Sequence, residues 1–199
     1  MSTHNTTRHA TGQSQHCEQP YDGADCHCSS GSSKTLVAGA PRVALAGAPN
    51  AGKTSIYNAL TGLHAKTGNY PGVTVQRSMG TCKVGGKTLT IEDLPGAYSL
   101  NPISPDEQIV HDVLTGTSTT VSAPDALVIV VDATTLQRGM NFIAEALALE
   151  LPTCLVVTMT DELTRRAGRL DVAALGQALG IPAVRVVGNR SIGIPELRE

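Results

Sequence analysis

Gly47-Ala48-Pro49-Asn50-Ala51-Gly52-Lys53-Thr54 constrains the fold of this chain more than any other stretch. It fits G-x-x-x-x-G-K-[ST], a phosphate-holding loop that needs a strand before it and a helix after it. Both flanks comply. Arg42-Val43-Ala44-Leu45-Ala46 reads as a short buried strand, and Ser55-Ile56-Tyr57-Asn58-Ala59-Leu60 as a helix. Gly47 and Gly52 permit a tight turn in which successive N–H groups face a phosphate at the helix N-terminus. Lys53 then reaches the β- and γ-phosphates, and the Thr54 hydroxyl is placed to ligate Mg²⁺. The motif in this setting implies a nucleotide-binding domain.

Composition agrees and excludes other classes. A length of 199 residues suits one ordinary domain with an appendage. With no Trp and one Phe, the core has to be built from Val, Leu, Ile and Ala, which suits a parallel sheet covered on both faces. The formal net charge of -2 makes no electrostatic case for nucleic acid as a partner or for an anionic membrane. No apolar run reaches the ~18 residues of a membrane span, and the N-terminus lacks the apolar stretch of a secretory signal. The chain by itself is expected to be soluble. Its five cysteines suggest no disulfide framework, and Cys82 and Cys154 read as small buried hydrophobes in strands.

Residues 1–39 are rich in Ser, Thr, His, Gln and Gly and are expected to form a disordered extension. His16, Cys17, Cys26, His27 and Cys28 within it could hold a soft or borderline metal, although their spacing matches no standard zinc pattern. A polar tail with incidental thiols is the alternative. Residues 40–199 form the expected folded domain. Its first helix stops near Gly62, and Leu63 to Asn69 reads as a polar loop before a strand that follows Tyr70-Pro71-Gly72-Val73-Thr74-Val75. Gly85-Gly86 turns a hairpin between 81–84 and 87–91. Ser104-Pro105-Asp106-Glu107 starts a helix that runs to Gly116, with Ser as cap and Pro at its first position. The apolar runs 126–131 and 154–157 read as central strands, with a helix over 139–150 between them. Asp171 caps a helix through Leu179, residues 183–187 form the last strand, and Ile194 begins a final helix. This order predicts a doubly wound P-loop α/β fold. Its sheet is mostly parallel with one antiparallel strand, helices cover both faces, and the ligand sits at the carboxyl ends of the strands.

Three later segments bear on the choice of nucleotide and its metal. Asp93 in Asp93-Leu94-Pro95-Gly96 stands at a strand end, the place for a Mg²⁺-directed carboxylate, and Gly96 offers a backbone N–H to a γ-phosphate. Thr74 lies between the first helix and the hairpin, where a hydroxyl can complete the Mg²⁺ shell. That makes residues 63–76 a switch ordered by GTP; a β-branched strand residue is the plainer reading. Asp161 in Thr158-Met159-Thr160-Asp161 can accept from the N1 and N2 hydrogens of guanine, which adenine lacks, or it merely caps the following turn.

Together these segments carry a resemblance over residues 41–199. With Asn69-Tyr70-Pro71-Gly72-Val73-Thr74-Val75, Asp93-Leu94-Pro95-Gly96-Ala97-Tyr98-Ser99-Leu100 and Val131-Asp132-Ala133-Thr134, the chain resembles the cytosolic G domain of the bacterial ferrous-iron transporter family FeoB. The resemblance implies nucleotide contacts from Gly47, Ala48, Pro49, Asn50, Ala51, Gly52, Lys53, Thr54 and Ser55. It extends them to Gly72, Val73, Thr74, Asp93, Leu94, Pro95, Gly96, Thr158, Met159, Asp161, Gly188, Asn189 and Arg190. Lys53, Thr74 and Gly96 are the candidate catalytic residues, and Thr54, Thr74 and Asp93 the candidate Mg²⁺ ligands. It also implies K⁺ stimulation, with Asn50 as a ligand and carbonyls from Gly68 and Tyr70. The chain departs from the family in having Thr158 for an Asn that braces the P-loop, and Gly188-Asn189-Arg190 for a Ser-Ala type segment. Weaker guanine binding and faster release are therefore expected. Ala97 stands where Ras-like enzymes carry a water-orienting Gln, so slow intrinsic hydrolysis is expected.

The resulting expectation is a GTPase using GTP/GDP, Mg²⁺ and K⁺, coupled to Fe²⁺ import. By family resemblance the chain is the N-terminal part of a transporter, at the cytoplasmic face of the bacterial inner membrane. Its own helical and transmembrane domains and small cytosolic Feo proteins are then its partners. A nucleotide-gated interaction switch with little turnover is the alternative.

Overall fold

The computed structural model describes residues 39–62, 65–187 and 192–199. The metal-ligand candidates at residues 16–28 and the residues Gly188, Asn189 and Arg190 lie outside these. The strands are β1 (Arg42–Ala46), β2 (Ala65–Asn69), β3 (Gln76–Val84), β4 (Lys87–Asp93), β5 (Ala126–Asp132), β6 (Thr153–Thr158) and β7 (Ala183–Arg185). The helices are α1 (Lys53–Thr61), α2 (Pro105–Thr115), α3 (Leu136–Leu147), α4 (Thr160–Arg165), α5 (Val172–Leu179) and α6 (Ile194–Leu197). The strands form one sheet in the order β2-β3-β4-β1-β5-β6-β7. Pairing is parallel except on both sides of β3, so β3 alone runs against the rest, as expected.

The continuous apolar runs alternate between two cores. Leu127, Ile129 and Val131 of β5 pack with Val110, Val113, Phe142, Ile143 and Ala146 of α2 and α3. Val128 and Val130 face the other way, onto Ile56, Tyr57 and Leu60 of α1 and Ile194 of α6. Both faces are therefore covered, which is why these strands carry no polar alternation. Caps fall where the sequence places them: Ser104 Oγ accepts from the Glu107 amide at 3.3 Å, and Asp171 Oδ1 from the Ala174 amide at 2.9 Å. No helix among the described residues is long and apolar enough to cross a membrane.

Four boundaries depart from the sequence reading. The loop expected over 63–69 is largely strand β2, paired antiparallel with β3 from Ala65↔Gly80 to Asn69↔Gln76. An edge strand open to solvent needs no apolar alternation, so periodicity gave no signal. The helix expected over 139–150 starts at Leu136, behind a single 3₁₀ turn (Ala133–Thr135) capped by the Asp132 side chain, and stops at Leu147. Residues 160–165 form a helix that the reading treated only as a turn. The last strand stops at Arg185, and Val187 makes an isolated bridge with Ile192 instead.

Candidate functional site

The P-loop leaves β1 at Gly47 and enters α1 at Lys53. Gly47 passes so close to β5 that a Cβ would run into the Val130 carbonyl. Lys53 is 8 % exposed, and its Nζ donates to the carbonyls of Gly47 (3.1 Å) and Ala48 (3.0 Å). Burial lowers its pKa from the ordinary lysine value, while Asp93 works in the opposite direction. A desolvated ammonium held only by neutral carbonyls is poised for a phosphate.

β4 delivers Asp93 beside it. Thr54 Oγ1 donates to Asp93 Oδ2 at 3.0 Å, and Asp93 Oδ1 is buried without a hydrogen-bond partner. Burial raises the Asp93 pKa against the opposing pull of Thr54 and Lys53. A hydroxyl and a carboxylate with one unmet oxygen form a hard-oxygen donor set, which fits Mg²⁺. The chain beyond is zipped to the P-loop: Leu94 N donates to Leu45 O (3.0 Å) and Ala97 N to Gly47 O (3.1 Å). Gly96 lies hard against Pro49, where a Cβ would come within 2.7–2.8 Å of three Pro49 atoms.

A cleft of about 530 Å³ opens over these groups, lined by Asn50, Lys53, Thr54, Asp93, Pro95 and Gly96 among others. Thr67, Gln76 and Ser78 also line it. The sequence reading had Thr67 and Gln76 only within the expected 63–76 switch and did not name Ser78, because only the β2–β3 pairing brings them to this cleft. A second cleft, of about 430 Å³, lies on the other side of the α1 N-terminus. Its walls include Gly52, Ser55, Thr158, Met159 and Asp161. Asp161 lies inside the first turn of α4, whose N-cap position is Met159 with no side-chain cap. The capping role for Asp161 is therefore overturned; its Oδ2 sits 3.5 Å from Arg165 Nη2. Thr158 is 4 % exposed, and its hydroxyl lies 2.8 Å from Ala51 O and 3.0 Å from Val131 O. A threonine thus ties β6 to the P-loop.

The segment 70–75 stands differently. Gly72, Val73 and Thr74 are exposed and do not line the first cleft. Gly68 lies in β2 opposite Arg77, and the Tyr70 carbonyl accepts from the Val73 amide at 3.2 Å. Of the candidate K⁺ ligands, only Asn50 faces the cleft. Tyr70 itself is anchored by its side chain. Its hydroxyl donates to Glu92 Oε1 (2.9 Å), and its pKa is raised by burial and by Glu92. Glu92 is fully buried, with Arg77 Nε at 2.7 Å and Arg42 Nε at 3.1 Å. This buried charge beside Asp93 is a second group that the sequence reading passed over.

Comparison with known proteins agrees with the geometry. The family described as "Ferrous iron transport protein B" matches residues 41–199. A Porphyromonas gingivalis protein named Fe(2+) transport protein A/Fe(2+) transporter FeoB fusion protein is 40% identical over 156 residues, 78% of this chain and 18% of that protein. The Leptospira biflexa Fe(2+) transporter FeoB is 38% identical over 154 residues, 77% of this chain and 22% of that protein. The chain therefore spans about a fifth of the length of these relatives. Among solved structures, the G domain of the T. maritima FeoB iron transporter superposes with a TM-score of 0.70 at 35% identity, covering 79% of this chain and 93% of that one. The cytosolic domain of the same transporter in a GMPPNP form gives 0.69 at 36% identity, covering 79% and 60%. With the P-loop, the Asp93–Gly96 segment and the two clefts gathered at the carboxyl ends of the strands, this chain belongs to the ferrous iron transport protein B family, of which it carries the G domain.

Proposed function

We propose that this chain binds GTP and hydrolyses it with water to GDP and phosphate, dependent on Mg²⁺ and stimulated by K⁺. In the full-length transporter this turnover regulates or drives Fe²⁺ import. The observation that carries the reading is the convergence of Lys53, Thr54, Asp93 and Gly96 at the α1 N-terminus, with a separate cleft ending at Asp161 for the base.

Lys53 exchanges its bonds to Gly47 and Ala48 for phosphate oxygens, a gain because a buried ammonium prefers a charged acceptor. Backbone N–H groups of the P-loop and the N-terminus of α1 supply further donors. Gly96 lets the backbone approach the γ-phosphate, and Asp161 selects guanine through two acceptor oxygens. Thr54 and Asp93 would hold Mg²⁺, with Thr74 joining them after a rearrangement of residues 72–74, and the ion would supply positive charge at the β- and γ-phosphates. Asn50 would hold K⁺, which would add charge of the same kind, and the Gly68 and Tyr70 carbonyls would join it only if residues 68–74 rearrange. GMPPNP and GDP appear in the names of related FeoB structures, which supports a guanine nucleotide. The fusion of an Fe(2+) transport protein A to FeoB in one relative supports a small Feo protein as partner.

Phosphate release from GTP and from ATP, with Mg²⁺ in K⁺ and then Na⁺ buffer, tests the reading. GTP turnover raised by K⁺ and lost in Asn50→Ala is the expected result. GTP binding without turnover in either buffer replaces the enzyme with a nucleotide-gated interaction switch.

A further inference from the structure

The chain beyond Gly96 is tied down twice. Ala97 is bonded to the Gly47 carbonyl of the P-loop at 3.1 Å. Residues 99–101 are held from a different element, by Glu145 on α3. The Glu145 carboxylate accepts from the Ser99 hydroxyl (2.9 Å to Oε2), the Leu100 amide, the Asn101 side-chain amide (3.1 Å) and the Asn141 side-chain amide (2.9 Å). All four partners are neutral donors. Burial raises the Glu145 pKa, but these bonds outweigh it and hold the carboxyl below its usual range. Its support is stiff, since neighbouring Phe142, Ile143 and Ala146 are at most 1 % exposed. Between the two ties stands Tyr98, 45 % exposed.

We infer that Glu145 is a positioning residue for GTP hydrolysis, holding residues 99–101 on α3 so that Ala97 and Tyr98 keep a fixed place beside the γ-phosphate position. The inference rests on the hydrolysis reading above. It matters here because Ala97 offers no side chain to orient water, which leaves that task to backbone groups of this segment or to Tyr98. A carboxylate suits the task because both oxygens accept; a glutamine turns an NH₂ group against one pair of donors.

The test compares wild type, E145Q and E145A by amide exchange at Leu100, equilibrium GDP titration and steady-state GTP turnover. In E145A the Leu100 amide exchanges about tenfold faster, and kcat falls about five- to tenfold, the worth of about one ordinary hydrogen bond. E145Q falls between. GDP affinity and KM stay within about twofold, because no Glu145 bond reaches the nucleotide clefts. Unchanged exchange, or faster exchange with unchanged kcat, overturns the inference. Joint loss of GDP affinity and turnover also overturns it, since that marks a general structural role. Absence of turnover in the wild type overturns the hydrolysis reading first, and this control separates the two failures.

Discussion

Gly96 and Thr158 show how much of the site depends on a single atom. A Cβ at Gly96 has no space beside Pro49, and the clash is with backbone as well as ring, so the Asp93–Gly96 segment has to move away from the P-loop. Gly96→Ala is expected to lower GTP turnover about tenfold or more, as loss of a backbone donor to the γ-phosphate does, while GDP affinity changes little. Turnover and GDP titration on the purified variant check this. Thr158 is the opposite case, a residue that looks deficient until its contacts are seen. Its hydroxyl reaches both Ala51 and Val131 carbonyls, so P-loop bracing survives the departure from the family pattern. Thr158→Val keeps the shape and removes the donor. It should cost about 1 kcal/mol in urea denaturation and speed GDP release, measured by displacement of a fluorescent GDP analogue. A slower release would show that Thr158 does not support the loop.

At the scale of elements, the interest lies in what joins β2–β3 to the central sheet. The Tyr70 hydroxyl, Arg77 and Arg42 converge on Glu92, which has no solvent contact. Removing one partner from a buried charge cluster costs more than the cluster is worth, because the remaining charges are left unpaired. Glu92→Gln leaves two arginines without a counter-charge and is expected to destabilise the domain by about 3 kcal/mol, read as a shift in the urea midpoint. Tyr70 then loses its charged acceptor, so the segment 70–75 is expected to become more sensitive to proteolysis. A stability loss without that sensitivity would dissociate Glu92 from the ordering of residues 70–75. Elements with sharp local signals were legible in the sequence. The Ser104 and Asp171 caps, the Gly85-Gly86 turn and the apolar runs of β5 and β6 all lie where expected. β2 was not legible, because its partner β3 supplies the only reason for it to be extended. Nor was α4, whose six residues carry too little periodicity.

For the whole molecule, two clefts lie on opposite sides of the α1 N-terminus, so one nucleotide spanning both would tie β1, β4 and β6 together. Ligand that binds only the folded state stabilises by mass action, about 2.7 kcal/mol at a hundredfold excess over Kd. GDP with Mg²⁺ should therefore raise Tm in a concentration-dependent way. Lys53→Ala should abolish most of that rise, while leaving the unliganded domain no less stable, since a desolvated ammonium is removed with it. Thermal scans at several GDP concentrations provide the check. A full GDP-dependent rise in Lys53→Ala would remove Lys53 from the phosphate site.

The sequence alone determined the phosphate loop, the Asp93–Gly96 segment, the strand-end position of Asp161 and the alternating α/β order, because each is a local pattern legible from its spacing. Only the tertiary structure decided what supports them. Thr158 braces the P-loop across 107 positions of chain, Glu145 reaches residues 99–101 from 44 to 46 positions away, and Glu92 gathers three partners from three separate segments. Such contacts leave no periodicity or motif, since they arise from the folding of remote segments into one sheet with helices on both faces.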